Sequence, residues 1–538
     1  MANNFKKVID RQMYVQVAPS PNAHAAGQGM CADLRNDISR NPFIYQIPSA
    51  TVLNRYNIIQ KAWQFVVSPA LSAVGAGAGA VFAPSRALEG NIGAGCTTTS
   101  IVTTTTITAV GVNMLANRGG SGEYGFKIRI KGNSAGSSGK IEERWIVGNT
   151  GGTTPTIILD QPLSFTPANG DTYEILGGRL FMLGSGTLAA GSWKSYEVAA
   201  NTLAALTNTN LPTTVGTDCS LVALDEQYVP FDRKPGEGFV IGASTYDATV
   251  PKGCLVATAT GVGSITGQAA AGDAVVAANE YRNFQIRIVE DTTNKTAVGQ
   301  RAIIASHTGG ASPVYTLGAN WGVQPSSNAK FVIEYPNLIL LWSSGTAVTY
   351  TYNYGPATVN NGTNSITTGA WHTTYFANRP AVMAAGCLSF SAHGIEPDAA
   401  RNARHSNIFS FRGGAVTLDV LDIAGAATGS WTNGAVYDGS GSITPGVGSC
   451  CAAAPFDCEG RFAYINYYVA SAINQVYRFD MKNRVLAVHT PTDWIQSGTA
   501  ATGQRMAAVC AIDGNDKYSV VFLQAHLATI AQELIVQV

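Results

Sequence analysis

At 538 residues the chain is longer than one ordinary core can organise, so about two to four domains are expected. Hydrophobic residues at 46% exclude a core-poor disordered chain, while charged residues reach only 13%, so Gly, Ala, Ser, Thr and Asn must cover much of the surface. Lys+Arg and Asp+Glu are equal at 34 each, so no long-range field favours duplex DNA or an anionic membrane, and direct nucleic-acid recognition is not expected.

The first residues, MANNFKKVIDRQMYVQV, lack the apolar region of a secretory signal, and no later run of about 18 apolar residues would span a bilayer. Folding in a cytoplasm is therefore the expectation. QMYVQV (12–17) alternates as a strand does and resembles ELIVQV (533–538), so the two are expected to pair and close one sheet. ATVLNRYNIIQKAWQFVV (50–67) is the stretch with the most helical look, yet its β-branched and aromatic residues suit strands as well. GAGAGAVFAP (75–84) lacks the GK[ST] ending of a phosphate loop and reads as a loop or hinge.

Next comes an echo. FKIRI (126–130) returns as FQIRI (284–288), and Phe126, Ile128 and Ile130 meet Phe284, Ile286 and Ile288 at an offset of 158. After a one-residue slip RWIVGNTGGTTPTIILD (144–160) lines up with RAIIASHTGGASPVYTLG (301–318), Pro155 meeting Pro313, Leu159 Leu317, and Ile175 Ile333. A constant offset over this length, with turn residues in place, marks an internal duplication. Alternation of apolar and polar residues makes each copy β, with the loops GNSAGSSGK and VEDTTNKTAVGQ between strands. Each copy has enough short strands for a small sandwich or barrel.

Outside the copies, RLFMLGSG…SWKSYEVAANTLAAL, LILLWSSG…AVTYTYNYGPATV, NIFSFRGGAVTLDVLDIAGAATGSW and FAYINYYVASAINQVYRFDMKNRVLAV each read as an apolar strand, a small-residue turn and an aromatic-rich strand. This rhythm resembles the kelch-type blade of a β-propeller, YRFDMKNRVLAV (477–488) most closely. The expectation is an all-β protein: a kelch-like propeller of about five or six blades carrying two duplicated small β-sandwich or barrel insertions. Its parts run 1–81 (propeller), 82–178 (first inserted module), 179–239 (blade), 240–337 (second module) and 338–538 (C-terminal blades).

Chemistry-bearing patterns are sparse. His393 and His405 flank GIEPDAARNAR beside Asp398 and Arg401, the densest polar patch, but without metal-ligand spacing. His307 falls where the first copy has Asn149, the place of a turn residue. Nine cysteines are scattered; the cluster CCAAAPFDC has neither a CxxC partner nor a nearby His, leaving thiols or a local bridge, and no metal is assigned. DGNDK and YDGSGS read as hairpin turns, and no GxSxG elbow occurs. Trp193, Tyr196, Tyr350, Tyr352, Tyr467 and Tyr468 have the chemistry to stack on sugars, but their strand spacing makes them core residues first. No catalytic residue and no cofactor is assigned. Kelch-type propellers include copper radical oxidases built on Tyr, Cys and two His; that constellation is not matched here.

A β-only chain, low in charge, rich in small residues, with duplicated modules spliced into a larger frame, resembles the structural proteins of tailed bacteriophage virions. The resemblance is one of style over the whole chain. It implies a non-enzymatic part of a tail, head–tail collar, nozzle or baseplate, made in the host cytoplasm and placed in the virion. Other virion proteins and further copies of itself would be its partners. The loop residues Asn133, Ser137, Lys140, Asp291, Asn294 and Lys295 are the candidate contacts. The alternative is a fibre or adhesin that binds a host-surface glycan.

Overall fold

The structure is a computed structural model. It describes residues 13–17, 21, 29–32, 43–75, 78–83, 88–104, 126–224 (except 177 and 217), 254–268 (except 262), 277–391 (except 311, 312 and 328), 406–439, 443–453, 462–469, 473–489, 505–513, 516–524 and 531–537. The protein is all-β; among these residues the one helical element is a single 3-10 turn, Lys295–Ala297. No helix among them is long and apolar enough to cross a membrane.

Six sheets form the frame, five of them four-stranded and antiparallel and one carrying a short fifth strand. Sheet 1 runs Gly29–Ala32, Phe43–Ser49, Val52–Asn57, Ala62–Val67; the stretch with the helical look is thus its outer hairpin. Asn57 makes that turn, its Oδ1 accepting the N–H groups of Ile59 and Gln60, both at 2.9 Å. Sheet 2 is Gly79–Phe82, Arg179–Leu183, Trp193–Glu197, Thr202–Ala205, and sheet 3 is Cys219–Leu224, Leu338–Ser343, Tyr350–Asn353, Trp371–His372. Sheet 4 is Leu388–Ser391, Asn407–Phe411, Leu418–Asp422, Ser430–Thr432. Sheet 5 holds Cys450–Ala453, Phe462–Val469, Ile473–Asp480 and Val485–Val488, with the short Asp438–Gly439 strand added in parallel.

Sheet 6 is Arg505–Asp513, Asp516–Gln524, Ala531–Gln537, and its fourth strand is Met13–Val17. The two chain ends therefore pair, Met13 opposite Ile535 and Val17 opposite Ala531. The first strands of the six sheets touch in cyclic order: sheet 1 with 2, 2 with 3, 3 with 4, 4 with 5, 5 with 6, and 6 with 1. All six contribute to one axial cavity of about 150 Å³, where Met30, Ala80, Leu221, Ser389, Cys451 and Met506 meet. At one end Asp218, at φ +63°, staples three sheets, its Oδ2 accepting the N–H groups of Gly386 (2.9 Å) and Gly448 (3.2 Å). Small residues in these strands let backbones converge on the axis.

Both modules leave the frame at the same point, between the first and second strands of adjacent sheets. The first is a six-stranded sheet in the order Leu88–Asn91, Thr172–Leu176, Lys127–Lys131, Ile141–Asn149, Thr156–Leu159, Ser100–Val102, whose edges meet at the Ile92–Thr103 bridge. The second is a closed barrel of Cys254–Gly261, Ser264–Gln268, Val314–Leu317, Arg301–His307, Gln285–Glu290 and Lys330–Glu334. An offset of 158 carries Thr156–Leu159 onto Val314–Leu317 and Thr172–Leu176 onto Lys330–Glu334.

The copies agree down to single hydrogen bonds. Thr150 Oγ1 accepts the Thr156 N–H at 2.8 Å, and Thr308 Oγ1 accepts the Val314 N–H at 2.9 Å. Phe126, Ile128 and Ile130 fill one module interior; Phe284, Ile286 and Ile288 fill the other.

Neither module stands clear of the frame. One continuous core joins the first module to sheets 1 and 2 through Ile128, Tyr45 and Leu180. A second joins the other module to sheets 3 and 4 through Ile286, Trp342 and Leu421. Burial on both sides of each junction, at about 25 cal/mol per Å² of apolar area, makes these junctions parts of the fold rather than loose attachments.

Candidate functional site at the seam of the two modules

The echo strands place apolar side chains inward and leave Lys127, Arg129 and Lys131 of one copy, and Gln285 and Arg287 of the other, on the outer face. That face is not solvated. Arg129 is 1% exposed, Lys131 8% and Arg287 4%, because the two modules press their outer faces together.

Glu174 lies at the centre and is fully buried. Its Oε2 accepts from Arg129 Nη1 (2.9 Å) and from Arg301 Nη2 of the second module (2.9 Å), while Oε1 accepts from Lys131 Nζ (2.8 Å). Register explains the first of these: Arg129 sits directly across from Glu174 on one side and from Glu143 on the other, and its Nε reaches Glu143 Oε1 at 2.9 Å. Burial alone would raise the Glu174 pKa; Arg301, Lys131 and Arg129 together hold it well below the usual carboxylate range. Glu143 is likewise lowered against its own burial, by Arg129, Lys127 and, across the seam, Arg287. Burial pulls Lys131 down, with Glu174 opposing. In the second module Arg287 pairs with Glu334.

The candidate loop residues fall at one end of this seam. Asn133 Nδ2 donates to Thr172 Oγ1 (2.9 Å) within the first module, and Ser137 Oγ donates to Asp171 Oδ2 (2.7 Å). Asp291, fully buried, does in the second module what Asp171 does in the first. Its oxygens accept the N–H groups of Thr293 (3.1 Å), Asn294 (2.7 Å) and Ser326 (2.8 Å), pinning the loop. Asn294 Nδ2 donates to Gln324 O at 3.0 Å. The loops then meet: the backbones of Lys140 and Glu290 form an antiparallel β-bridge, the Asp291 N–H donates to Gly139 O (2.7 Å), and Lys295 Nζ reaches Ala135 O (3.4 Å). Gly139 is required there, since its φ is +74° and a Cβ would lie 2.4 Å from Asp291 O. The two candidate loops thus contact each other within one chain.

Sequence reasoning placed the loops but passed over Arg129, Lys131, Glu174 and Arg301. The signal was the pair of charges inside each echo, which reads as a solvated face when a strand is taken singly.

Other residues singled out by sequence resolve as follows. His307 is 4% exposed; its Nε2 accepts the Tyr281 N–H (2.9 Å) and its Nδ1 lies 2.9 Å from Thr308 O, which fixes a neutral ring. Asn149 makes the matching bond to Thr150 O at 2.8 Å, so the pair is a repeated strand-end anchor. Burial lowers the His307 pKa. Trp193, Tyr196, Tyr350 and Tyr352 are buried, and the Trp193 ring centroid lies 5.3 Å from that of Tyr352 and 5.1 Å from that of Trp371, so these rings are core. His393, Asp398, Arg401 and His405 lie outside the described residues, as do the side chains of Tyr467, Tyr468 and Cys458. Among the described residues no group of three or more His, Cys, Asp and Glu is arranged to hold a metal ion.

No protein-family model matches the chain, and no curated protein matches it in sequence. Among solved structures, a protein of unknown function from Bacteroides thetaiotaomicron is 7% identical with a TM-score of 0.22, over 76% of this chain and 90% of that one. The GH74 enzyme of Niastella koreensis is 10% identical with a TM-score of 0.18, over 94% and 90% of the two chains. The tricorn protease is 9% identical with a TM-score of 0.15, over 95% of this chain and 43% of its own. Likenesses this distant carry no argument about function.

Proposed function

We propose that the protein is a non-enzymatic structural component of a phage virion, in the tail, collar, nozzle or baseplate, acting as a rigid assembly platform. Its frame is read as a six-bladed, kelch-like β-propeller. The observation that supports the platform reading is a double lock: the chain ends share one sheet, and the two modules are joined to the frame by continuous cores and to each other by Glu174. A body fixed at all of these joints presents surfaces at set distances, which is what an assembly part needs. Partners are other virion proteins and further copies of this chain around a symmetry axis.

Light scattering with negative-stain imaging of the purified protein tests this. Rings, or a monomer that enters rings when virion components are added, are expected; a monomer that never associates with them would overturn it.

A receptor-binding role, in which the protein holds a host-surface glycan, is the second reading. The observation that favours it is an arginine-lined cavity where the second module meets sheet 4.

A further inference from the structure

The two ends of the frame differ in charge. Asp218 precedes the first strand of sheet 3 and the second module follows that strand, so the Asp218 end lies away from the modules. There the loops of sheets 1 to 5 are tied to one another. The Ser185 N–H donates to Ala73 O (3.1 Å), joining sheets 1 and 2, and the Gly216 N–H donates to Ser343 Oγ (3.1 Å), joining sheets 2 and 3. The Gly345 N–H donates to Met383 O (2.8 Å), the Ala384 N–H to Arg412 O (2.9 Å) and the Gly414 N–H to Pro445 O (2.7 Å), which carries the chain of contacts on through sheet 4 to sheet 5. Loops fixed in this way form a firm face before any partner arrives.

That face is almost without charge. The connecting stretches 49–51, 68–75, 184–192, 206–216, 344–349, 378–386, 412–417 and 433–449 contain three formally charged residues, Arg379, Arg412 and Asp438. Two of these turn inward: buried Asp419 accepts from Arg379 Nη2 (2.8 Å) and from Arg412 Nε and Nη2 (both 2.8 Å). Asp438 leaves along sheet 5, paired with Val485. Lys194 comes near from its strand, and its Nζ donates to Ala70 O (2.7 Å). In sequence, the stretches that join the same strand ends in sheets 5, 6 and 1 (470–472, 490–504, 514–515, 525–530 and 18–28) add one charge, Asp493. The stretches that join first strands to second are the opposite in composition: 33–42 and 392–405 carry four charges each.

Exposed at the uncharged end are Val382 (59%), Val416 (46%) and Val436 (80%). They come from adjoining loops: a Cβ placed on Gly414 would lie 3.4 Å from that of Ala384, and Tyr437 Oη donates to Val416 O (3.1 Å).

We infer that this face, centred on Val382, Val416 and Val436, docks a second copy of the chain, the valines of one copy meeting those of the other across a two-fold axis. A charged patch opposes its own image across such an axis, because like charge meets like. A patch without charge meets its image unopposed. Depleted charge with apolar side chains at the centre is the composition of an interface core. Each copy holds 34 basic and 34 acidic residues, so two copies do not repel at long range either. An acidic or basic partner would find no counter-charge here. This inference rests on the self-association in the proposed function and names the surface that makes it.

The test is sedimentation velocity of the full-length protein over a range of concentrations. Wild type, Val436→Glu, Val436→Lys, an equimolar mixture of those two, and Phe65→Glu on the outer strand of sheet 1 are compared, with each melting temperature measured. Wild type and Phe65→Glu are expected to form dimers alike. Each charge at 436 alone should weaken the dimer by roughly tenfold or more at an unchanged melting temperature, and the mixture should recover it as opposite charges meet. A wild type that stays monomeric at every concentration would overturn the inference. So would dimers indifferent to either charge, or a loss that the mixture does not restore. Rings that the Val436 variants form as well as wild type does would overturn it too, and would leave the platform reading in place. Dimers made through this patch that virion components never join would remove the platform reading alone.

Discussion

Arg301 donates to Glu174 across the seam at 2.9 Å, and both side chains are almost wholly withdrawn from water. On Glu174 cations from both modules converge in direct hydrogen bonds. Replacing it by Gln leaves Arg129, Lys131 and Arg301 buried without their shared counter-charge, which should cost about 3–5 kcal/mol of stability. Arg301→Met leaves Glu174 two cations and should cost less, about 1–3 kcal/mol. Denaturant titration of each variant and of the double variant measures the coupling. If Arg301→Met left the midpoint where it is, the cross-module bond would contribute nothing.

The same carboxylate sets an acid limit. Its folded pKa is depressed below the unfolded value of about 4.3, so its contribution is fully present above that pH and is lost as the pH falls below it. Glu174→Gln should flatten the loss of stability in that acid range while lowering stability at neutral pH.

A separate window belongs to His489. Burial, with Arg478 nearby, lowers its pKa to about 4. The unfolded chain, titrating near 6.5, then binds more protons between the two values, so stability falls as the pH drops from about 6.5 towards 4. His489→Asn should remove that slope, about 1–2 kcal/mol over the window once solvent screening of the partly exposed ring reduces the roughly 3 kcal/mol that the two pKa values alone imply. Melting temperatures measured in half-unit pH steps would show it, and an unchanged slope in the variant would assign the effect elsewhere.

Gly139→Ala tests the loop contact. The added Cβ would collide with the Asp291 carbonyl, and the left-handed backbone would be strained as well. A loss of about 1–3 kcal/mol is expected, with faster amide exchange at Asp291, whose N–H donates across to Gly139. Gly136→Ala, where the nearest neighbour of a new Cβ is Ala168 at 3.7 Å, is the control and should change little.

Ile128→Ala and Ile286→Ala are equivalent cuts in the two modules, each side chain being fully buried. Each should cost about 2–5 kcal/mol. Because each module shares its core with a different pair of frame sheets, limited proteolysis should open sheets 1 and 2 in the first variant and sheets 3 and 4 in the second. Identical cleavage patterns would show that the frame does not feel which module was weakened.

Much of the β organisation was legible because period two and the 158 offset are local signals. FKIRI and FQIRI announce strands, and a matching interval announces a copy. What the chain does with the other face of those strands was not legible. Arg129 and Arg287 look alike in sequence whether water or a second module covers them, and Glu174 lies 45 positions from Arg129 with no pattern to tie them. The arginine-lined cavity was hidden for a related reason: Asn279, Asn407 and Arg484 come from three distant turns and strands that only the docking of the second module onto sheet 4 brings together.

The pairing of Met13–Val17 with Ala531–Gln537 has a consequence in time. Each module is built from segments near one another along the chain and can complete itself early, whereas the last sheet needs Met13–Val17 and Ala531–Gln537, far apart along the chain, at once. Until then the Ala531–Gln537 strand has a bare edge, able to take a matching strand from a neighbouring chain as readily as its own. Dilute refolding should therefore give monomers, and concentrated refolding should give pairs that have traded their Met13–Val17 strands. A concentration-independent monomer yield would show that closure outruns encounter.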